Sequence, residues 1–401
     1  MQEIIKGHLL YSAYNVPFYN KAVSIPRLRQ SNSLDQAISE FPIITKKDLL
    51  ENESEFISML YHGKKIKIST SGSTGTPLNI YVNRYSLGYN YAFFHAFLNS
   101  NGLDEFERSA TFAGRLIVPV DKSSGPFHRI NWPMRTMLMS SYHISPTSYR
   151  AYLNALKKWN PTFIDAYPSA IYELARIFKD KNVDPGLNLK GIVTSSETLK
   201  SYQREILEEV FSCPVFDYYG CAEQVALAIQ SNRLRDRYLI PSQYSLVELM
   251  DEDDSPVRAG KVGKMVCTNV FNKVMPLIRY EIGDEAILSE NYPDSNFAKY
   301  LVAVNGRVDD VILNDKGFRV GRLDPVFKGI SGIKEAQIIQ HKLDYIELKI
   351  VKNKSSVINE NDLTEALKAR VGSSMVIDIT YCDRIPRNNA GKFRSVISKI
   401  K

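Results

Sequence analysis

Between Pro146 and Tyr218, short apolar runs alternate with amphipathic stretches. Tyr149, Leu153, Leu156 and Trp159 recur at helical spacing, and Asn160-Pro161 closes that segment. Phe163 to Ala166 then reads as a strand, Ala170 to Phe178 as a helix, and Gly191 to Thr194 as a strand. Leu199, Tyr202, Ile206 and Val210 mark the next helix, before a strand from Val215 to Tyr218. Such alternation predicts a parallel β-sheet with helical crossovers, and sheets of this kind bind ligands at the carboxyl ends of their strands. Two polar clusters fall at those ends: Thr194-Ser195-Ser196-Glu197 and Tyr219-Gly220-Cys221-Ala222-Glu223.

On either side the pattern changes. The first sixty residues read as helical, with loop signals at Asn15-Val16-Pro17 and Ile25-Pro26. Phe41 to Leu49 predicts an extended piece leading into a helix capped by Thr45. Lys65 to Ile68 and Leu78 to Val82 read as strands, and Tyr85 to Phe97 as an aromatic helix. Its stripe of Tyr85, Tyr89 and Phe93, with His95, is expected in the core. Asp251 to Pro256 predicts a solvated acidic turn between two strands, because the alternating ligands of a calcium loop are missing. From residue 307 the chain reads as a small α+β module. A hairpin is signalled around Asn314-Asp315-Lys316-Gly317, two strands flank Lys342-Leu343-Asp344, Leu363 to Val371 is helical and Val376 to Tyr381 extended. The expected fold class is α/β, a large N-terminal domain (1–306) of mixed and parallel β-sheets with helices, followed by a small α+β domain (307–401).

Length and composition agree with two soluble domains: 401 residues, 44% hydrophobic and 24% charged. A formal charge of +7, taken as spread along the chain, fits a protein that handles anionic substrates such as ATP or CoA. No arginine-rich arm or basic-aromatic repeat argues for nucleic acid. Cys213, Cys221, Cys267 and Cys382 form no C-x-x-C pair and no disulfide framework. With no secretory leader and no long uncharged apolar run, a cytoplasmic protein without a membrane span is expected.

The candidate chemistry begins at Ser69 to Pro77, Ser-Thr-Ser-Gly-Ser-Thr-Gly-Thr-Pro, which follows a β-type run. Its glycines let backbone N–H groups turn toward an anion, and its hydroxyls can donate to the remaining oxygens. A Ser/Gly-rich surface turn is the alternative. A P-loop is excluded, since Gly75 is followed by Thr76 and Pro77 and not by Lys-Ser/Thr.

This loop resembles the phosphate-binding signature of the adenylate-forming superfamily of acyl- and aryl-CoA ligases, and four further matches follow in that superfamily's order. Asp217 to Glu223 is similar to the Tyr-Gly-x-Thr/Ser-Glu motif, and Pro276 to Asp284 to Arg-Tyr-x-x-Gly-Asp. Gly306-Arg307-Val308-Asp309-Asp310 resembles the hinge, and Arg387 to Arg394 the C-terminal Gly-Lys-x-Arg segment. Pro17-Phe18-Tyr19 and Pro42 to Lys46 resemble segments of the phenylacetate-CoA ligase branch, and the loop at Ile312 to Gly317 is closer to the branch found with capsule-polysaccharide genes.

The resemblance implies an enzyme that activates a carboxylic acid with ATP to an acyl-adenylate, releases pyrophosphate, and passes the acyl group to a thiol, CoA first. An amine or a carrier-protein phosphopantetheine thiol is the alternative acceptor, and a nucleotide-binding protein without catalysis is the rival outside enzymes. It implies that Ser71, Gly72, Ser73, Thr74, Gly75 and Thr76 hold the β- and γ-phosphates, that Tyr219 and Gly220 lie along the adenine, and that Asp284 accepts from the ribose hydroxyls. Arg307 would hold the nucleotide near the ribose and phosphate, and Glu223 would coordinate Mg²⁺ bridging the phosphates. Lys392 would lie between the carboxylate and the α-phosphate, and the small domain would be mobile, turning about Asp309. Tyr142, His143, Tyr167 and Ser196 are candidates for the acid pocket, core packing being the alternative for such aromatics. No zinc is expected, because Ala228 to Tyr238 lacks the Cys and His of relatives that look zinc-binding.

Overall fold

The computed structural model describes residues 1–69, 78–113, 115, 117–119, 122–307, 312–313, 319–320, 323, 333–352, 358–386 and 394–400, without the side chains of 306–307, 319–320, 334 and 370. Five helices open the chain: α1 (Gln2–Asn15), α2 (Pro17–Ala22), α3 (Ile25–Gln30), α4 (Leu34–Ser39) and α5 (Lys46–Glu51). Ile25-Pro26 opens α3 instead of forming a loop, since proline's fixed φ and missing N–H suit a first helical turn. The Thr45 cap is present as a capping box, its side chain accepting from the Asp48 N–H while Asp48 accepts from the Thr45 N–H at 2.7 Å.

A ribbon of β1 (Ile66–Ser69) and β2 (Asn79–Val82) precedes α6 (Arg84–Ser100). Next come β3 (Ser109–Ala113), β4 (His128–Asn131), β5 (Thr136–Ser140), α7 (Tyr149–Trp159), β6 (Phe163–Ala166), α8 (Pro168–Asp180), β7 (Gly191–Ser195), α9 (Ser201–Phe211) and β8 (Val215–Gly220). Antiparallel strands follow: β9 (Leu227–Ser231), β10 (Leu234–Leu239), β11 (Ser245–Met250), β12 (Val262–Asn269), β13 (Tyr280–Asn291) and β14 (Ala298–Arg307). Together these form a twelve-stranded sheet in the order β11-β12-β13-β14-β10-β9-β8-β7-β6-β3-β5-β4. Its β5-β3-β6-β7-β8 portion is parallel, as the alternation predicts, and β4 closes that side as an antiparallel edge.

The sheet's two halves carry separate cores. Ile5, Leu9, Tyr19 and Phe41 from the N-terminal helices pack on Leu246, Met265 and Tyr280. Tyr152, Leu156, Ile171, Leu174 and Leu207 from α7, α8 and α9 cover Phe112, Ile164 and Ile192. On the other face, Phe97 and Leu98 of α6 meet Phe163, Val193 and Phe216. The aromatic stripe of α6 is only partly core. Tyr89 and Phe93 reach Phe271 and Tyr244, but Tyr85 stacks on Tyr89 from outside and is 66% exposed. His95 leaves the core to pair with Glu105. In α9 the buried face is Gln203, Leu207 and Phe211, with Tyr202 turned outward against Tyr172.

Beyond Arg307 lie the two-stranded β15 (Ile312–Leu313) and β16 (Arg319–Val320), then β17 (Ile333–Lys342), β18 (Tyr345–Lys352), α10 (Glu360–Val371), β19 (Val376–Tyr381) and β20 (Val396–Ser398). The last four strands form their own sheet, β19-β18-β17-β20, with a core of Ile338, Leu348, Ile350, Leu363 and Leu367. The fold is therefore a mixed α/β protein with one large sheet and a small C-terminal α+β region.

Candidate active site

The polar residues at the carboxyl end of β8 meet the end of a distant strand. Tyr219, two residues before the turn at Cys221, donates its hydroxyl to Asp284 Oδ2 at 2.6 Å. Asp284 sits in β13 opposite Arg307 of β14, just after Gly283, whose φ of +82° is the left-handed conformation that glycine adopts without strain. Burial and the neighbouring Asp284 carboxylate push the Tyr219 phenol well up, so the hydroxyl stays a donor at any ordinary pH.

Gly220 ends β8, and Glu223 follows in a tight turn closed by the Gln224 N–H donating to Cys221 O at 3.1 Å. Gln224 has φ +57°, and its carbonyl accepts from Asn269. Glu223 is only 8% exposed. Burial raises the Cys221 thiol, and Glu223 and Asp284 push it further the same way, so both carboxylates lie within electrostatic reach of one thiol. Two carboxylates and a phenol at the end of a sheet can accept from a diol and offer hard oxygen to a cation.

Arg279 of the Arg-Tyr-x-x-Gly-Asp segment serves structure. Its guanidinium donates to both oxygens of Glu248 at 3.1 and 3.3 Å and to Phe41 O at 3.2 Å, tying the N-terminal helices to the strand that carries Asp284. Of the polar cluster after β7, Glu197 accepts from the N–H and the hydroxyl of Ser169 at the start of α8, both at 3.0 Å. Ser196 takes φ +69° in the turn between them.

A cavity of about 370 Å³ opens beside this turn. Tyr142 and His143 are in its wall, with Ser169, Glu173 and, from the C-terminal region, Glu335 and Arg384. His143 stacks on Phe127 at 4.8 Å and shares a hydrogen bond with Ser140 Oγ at 2.8 Å. Tyr167 and Ser196 are absent from that wall; Tyr167 precedes α8 and packs against the core under it.

Ser71 to Thr76, Asp309 and Lys392 lie outside the described residues, and Arg307 is described by its backbone alone. Two carboxylates to which the sequence assigns no role interrupt short apolar strands, Asp217 at the head of the motif that ends at Glu223 and Asp165 in β6. Asp217 accepts from Thr194 Oγ1 at 2.6 Å and Tyr238 Oη at 2.7 Å, bonds that offset part of the rise burial imposes and leave its carboxyl above the usual range. Asp165, half-buried in β6, is raised to about 6 by burial, against the pull of Arg115.

Known proteins repeat this architecture. Residues 312–399 match the CapK C-terminal domain family. The chain is 25% identical to protein CapK of Staphylococcus aureus over 400 residues, 98% of this chain and 87% of that one. It is 25% identical to phenylacetate-coenzyme A ligase of Thermus thermophilus over 275 residues, 60% of this chain and 61% of that one. Among solved structures, 2-hydroxyisobutyryl-CoA ligase in the postadenylation state with 2-HIB-AMP shares the fold, with TM-score 0.74, 18% identity, and coverage of 98% of this chain and 89% of that one. The same ligase in its thioesterification state gives TM-score 0.58 at 99% and 89% coverage. Fold and relatives place this protein among the adenylate-forming enzymes. Within them the chain is similar in sequence to CapK and to phenylacetate-coenzyme A ligase.

Proposed function

We propose that the protein joins a carboxylic acid to AMP at the expense of ATP, releases pyrophosphate, and transfers the acyl group to the thiol of CoA with release of AMP. The observation that carries this reading is the Tyr219–Asp284 hydrogen bond at the end of β8 with Glu223 in the adjoining turn. The carboxylate oxygens of Asp284 are suited to a ribose diol, and the bond to Tyr219 holds the aromatic ring where an adenine can lie along it. The backbone of Arg307 runs directly opposite Asp284 and could direct a guanidinium to the same nucleotide.

A carboxylate is a poor electrophile until its oxygen attacks the α-phosphate. The help that step needs is alignment and neutralisation of the charge that grows on the phosphate oxygens. Ser71 to Thr76 would take the β- and γ-phosphates, and Lys392 the oxygens between acid and α-phosphate. Magnesium, when bound, would neutralise the phosphates, and Glu223 would offer it one hard oxygen. The acid would enter past Tyr142 and His143. The 2-hydroxyisobutyryl-CoA ligase is known in a postadenylation and a thioesterification state, and two such arrangements of this chain's parts, one for each half-reaction, would serve the same two steps here.

The test is pyrophosphate release by the purified protein across a panel of carboxylic acids, with and without CoA, and the mass of the product. Acid-dependent release with a CoA thioester as product is expected. No release with any acid would refute the activity, and an acyl-adenylate that forms but passes only to an amine or a carrier protein would replace CoA as acceptor.

A further inference from the structure

The formal charge turns out not to be spread along the chain. Arg108 to Trp159 holds eight Lys or Arg and one acid, Asp121, a formal +7 that equals the charge of the whole protein. The remaining residues carry 43 basic and 43 acidic side chains and cancel. Within that segment Arg108, Arg135, Lys157 and Lys158 lie at the amino ends of β3 and β5 and at the end of α7, the edge of the sheet opposite Tyr219, and all four are exposed. Arg129, also exposed, stands on the edge strand β4.

The same edge projects large apolar groups. The β4–β5 turn, Trp132-Pro133-Met134-Arg135, leaves Trp132 69% and Met134 65% exposed, and Phe106, in the turn before β3, is 70% exposed. Trp132 is held by an edge contact with buried Trp159 at 5.6 Å, whose ring Arg108 covers at 5.1 Å. The acids there are occupied: Glu107 is bound by Lys190 at 2.7 Å, Glu105, next to Phe106 in the chain, pairs with His95, and Asp104 and Asp184 accept N–H groups of their own turns.

We propose that this edge docks on an anionic phospholipid bilayer. Cations that ring a projecting tryptophan, methionine and phenylalanine match a surface with phosphate charge outside and hydrocarbon beneath, where tryptophan preferentially sits. A polynucleotide would meet the cations equally well but leaves Met134 and Phe106 without an apolar phase to enter. The attachment is peripheral: among the described residues no helix is long and apolar enough to cross a membrane. Docked this way, the carboxyl ends of β6, β7 and β8 face away from the lipid.

The chain contains its own probe, because it has two tryptophans, one exposed and one 5% exposed. The full-length protein is floated with phosphatidylcholine vesicles with and without phosphatidylglycerol, and its emission is followed with brominated acyl chains present. Flotation confined to anionic vesicles, a blue shift with bromine quenching, and release by high salt are expected. The triple variant Arg129→Glu, Lys157→Glu, Lys158→Glu, which keeps Trp132, should weaken binding by more than about tenfold. Met134→Ser should weaken it while leaving the salt dependence intact. Circular dichroism of each variant separates lost binding from lost folding. The proposal is overturned by absent flotation, by equal flotation with neutral vesicles, by flotation without a change in tryptophan emission, or by a single-stranded oligonucleotide that binds in preference to the vesicles.

Discussion

Asp284 and Tyr219 form the pair on which the nucleotide reading is most directly tested. Asp284→Ala should weaken ATP binding by about 1.5 to 3 kcal/mol, the range for hydrogen bonds to a charged group, while Tyr219→Phe should cost about 1 kcal/mol or less. Calorimetric titration with ATP checks both, and unchanged affinity in Asp284→Ala removes the ribose assignment. In α1, burial and the neighbouring Lys273 lower His8 from 6.5 to about 4. The unfolded chain therefore binds a proton that the folded chain refuses. Stability from this residue is fully present above pH 6.5 and is lost as pH falls toward 4, by roughly 3 kcal/mol in total. Denaturant midpoints at pH 7 and pH 4.5 should converge in His8→Leu relative to wild type; an equal gap in both would show that His8 does not set acid stability.

Among the elements, β13 depends on an ion pair that is itself nearly buried. Burial pushes the Glu248 carboxyl up and Arg279 pulls it back, with the two side chains 6% and 13% exposed. Arg279 also holds a left-handed backbone at φ +52°, sustained by its bonds to Glu248 and Phe41. Arg279→Ala leaves a carboxylate buried without its partner and should destabilise the fold by about 3 to 5 kcal/mol, whereas Arg279→Ala with Glu248→Met should recover much of that loss. Urea melts of the two variants decide it, and a single variant as stable as wild type would show that the pair does not anchor β13.

For the whole molecule the proposed reaction requires one site to serve two steps. In sequence Lys392 falls between β19 and β20 of the small sheet, and the proposed lysine acts only on the α-phosphate. Lys392→Ala should therefore abolish acid-dependent pyrophosphate release while leaving thioester formation from a supplied acyl-adenylate. Asp309→Pro, at the proposed hinge, fixes φ near −65° and should hold one arrangement, so that one half-reaction survives and the other fails. Separate assays of the two steps check both variants. Equal damage to both steps in Lys392→Ala, or wild-type turnover in Asp309→Pro, would remove the rotation from the mechanism.

The sequence by itself determined the alternating half of the sheet, the capped helix after Thr45 and the small α+β module, because each rests on a local rule of periodicity, capping or turn chemistry. Phe163 to Ala166 and Val376 to Tyr381 match the observed strands to the residue. The edge hairpin β4–β5 was not legible: no glycine or asparagine pair marks its turn, and the alternation of its strands is weak. Ordered motifs named Tyr219, Glu223 and Asp284, but their meeting depends on how β8 and β13, well separated in the sheet, are placed by the strands between them. Only the tertiary structure shows that Arg279 pairs with Glu248, that Tyr85 faces solvent, and that Asp165 is half-buried. Each of these turns on which groups lie within a few ångströms across long separations in the chain, and periodicity carries no information about that distance.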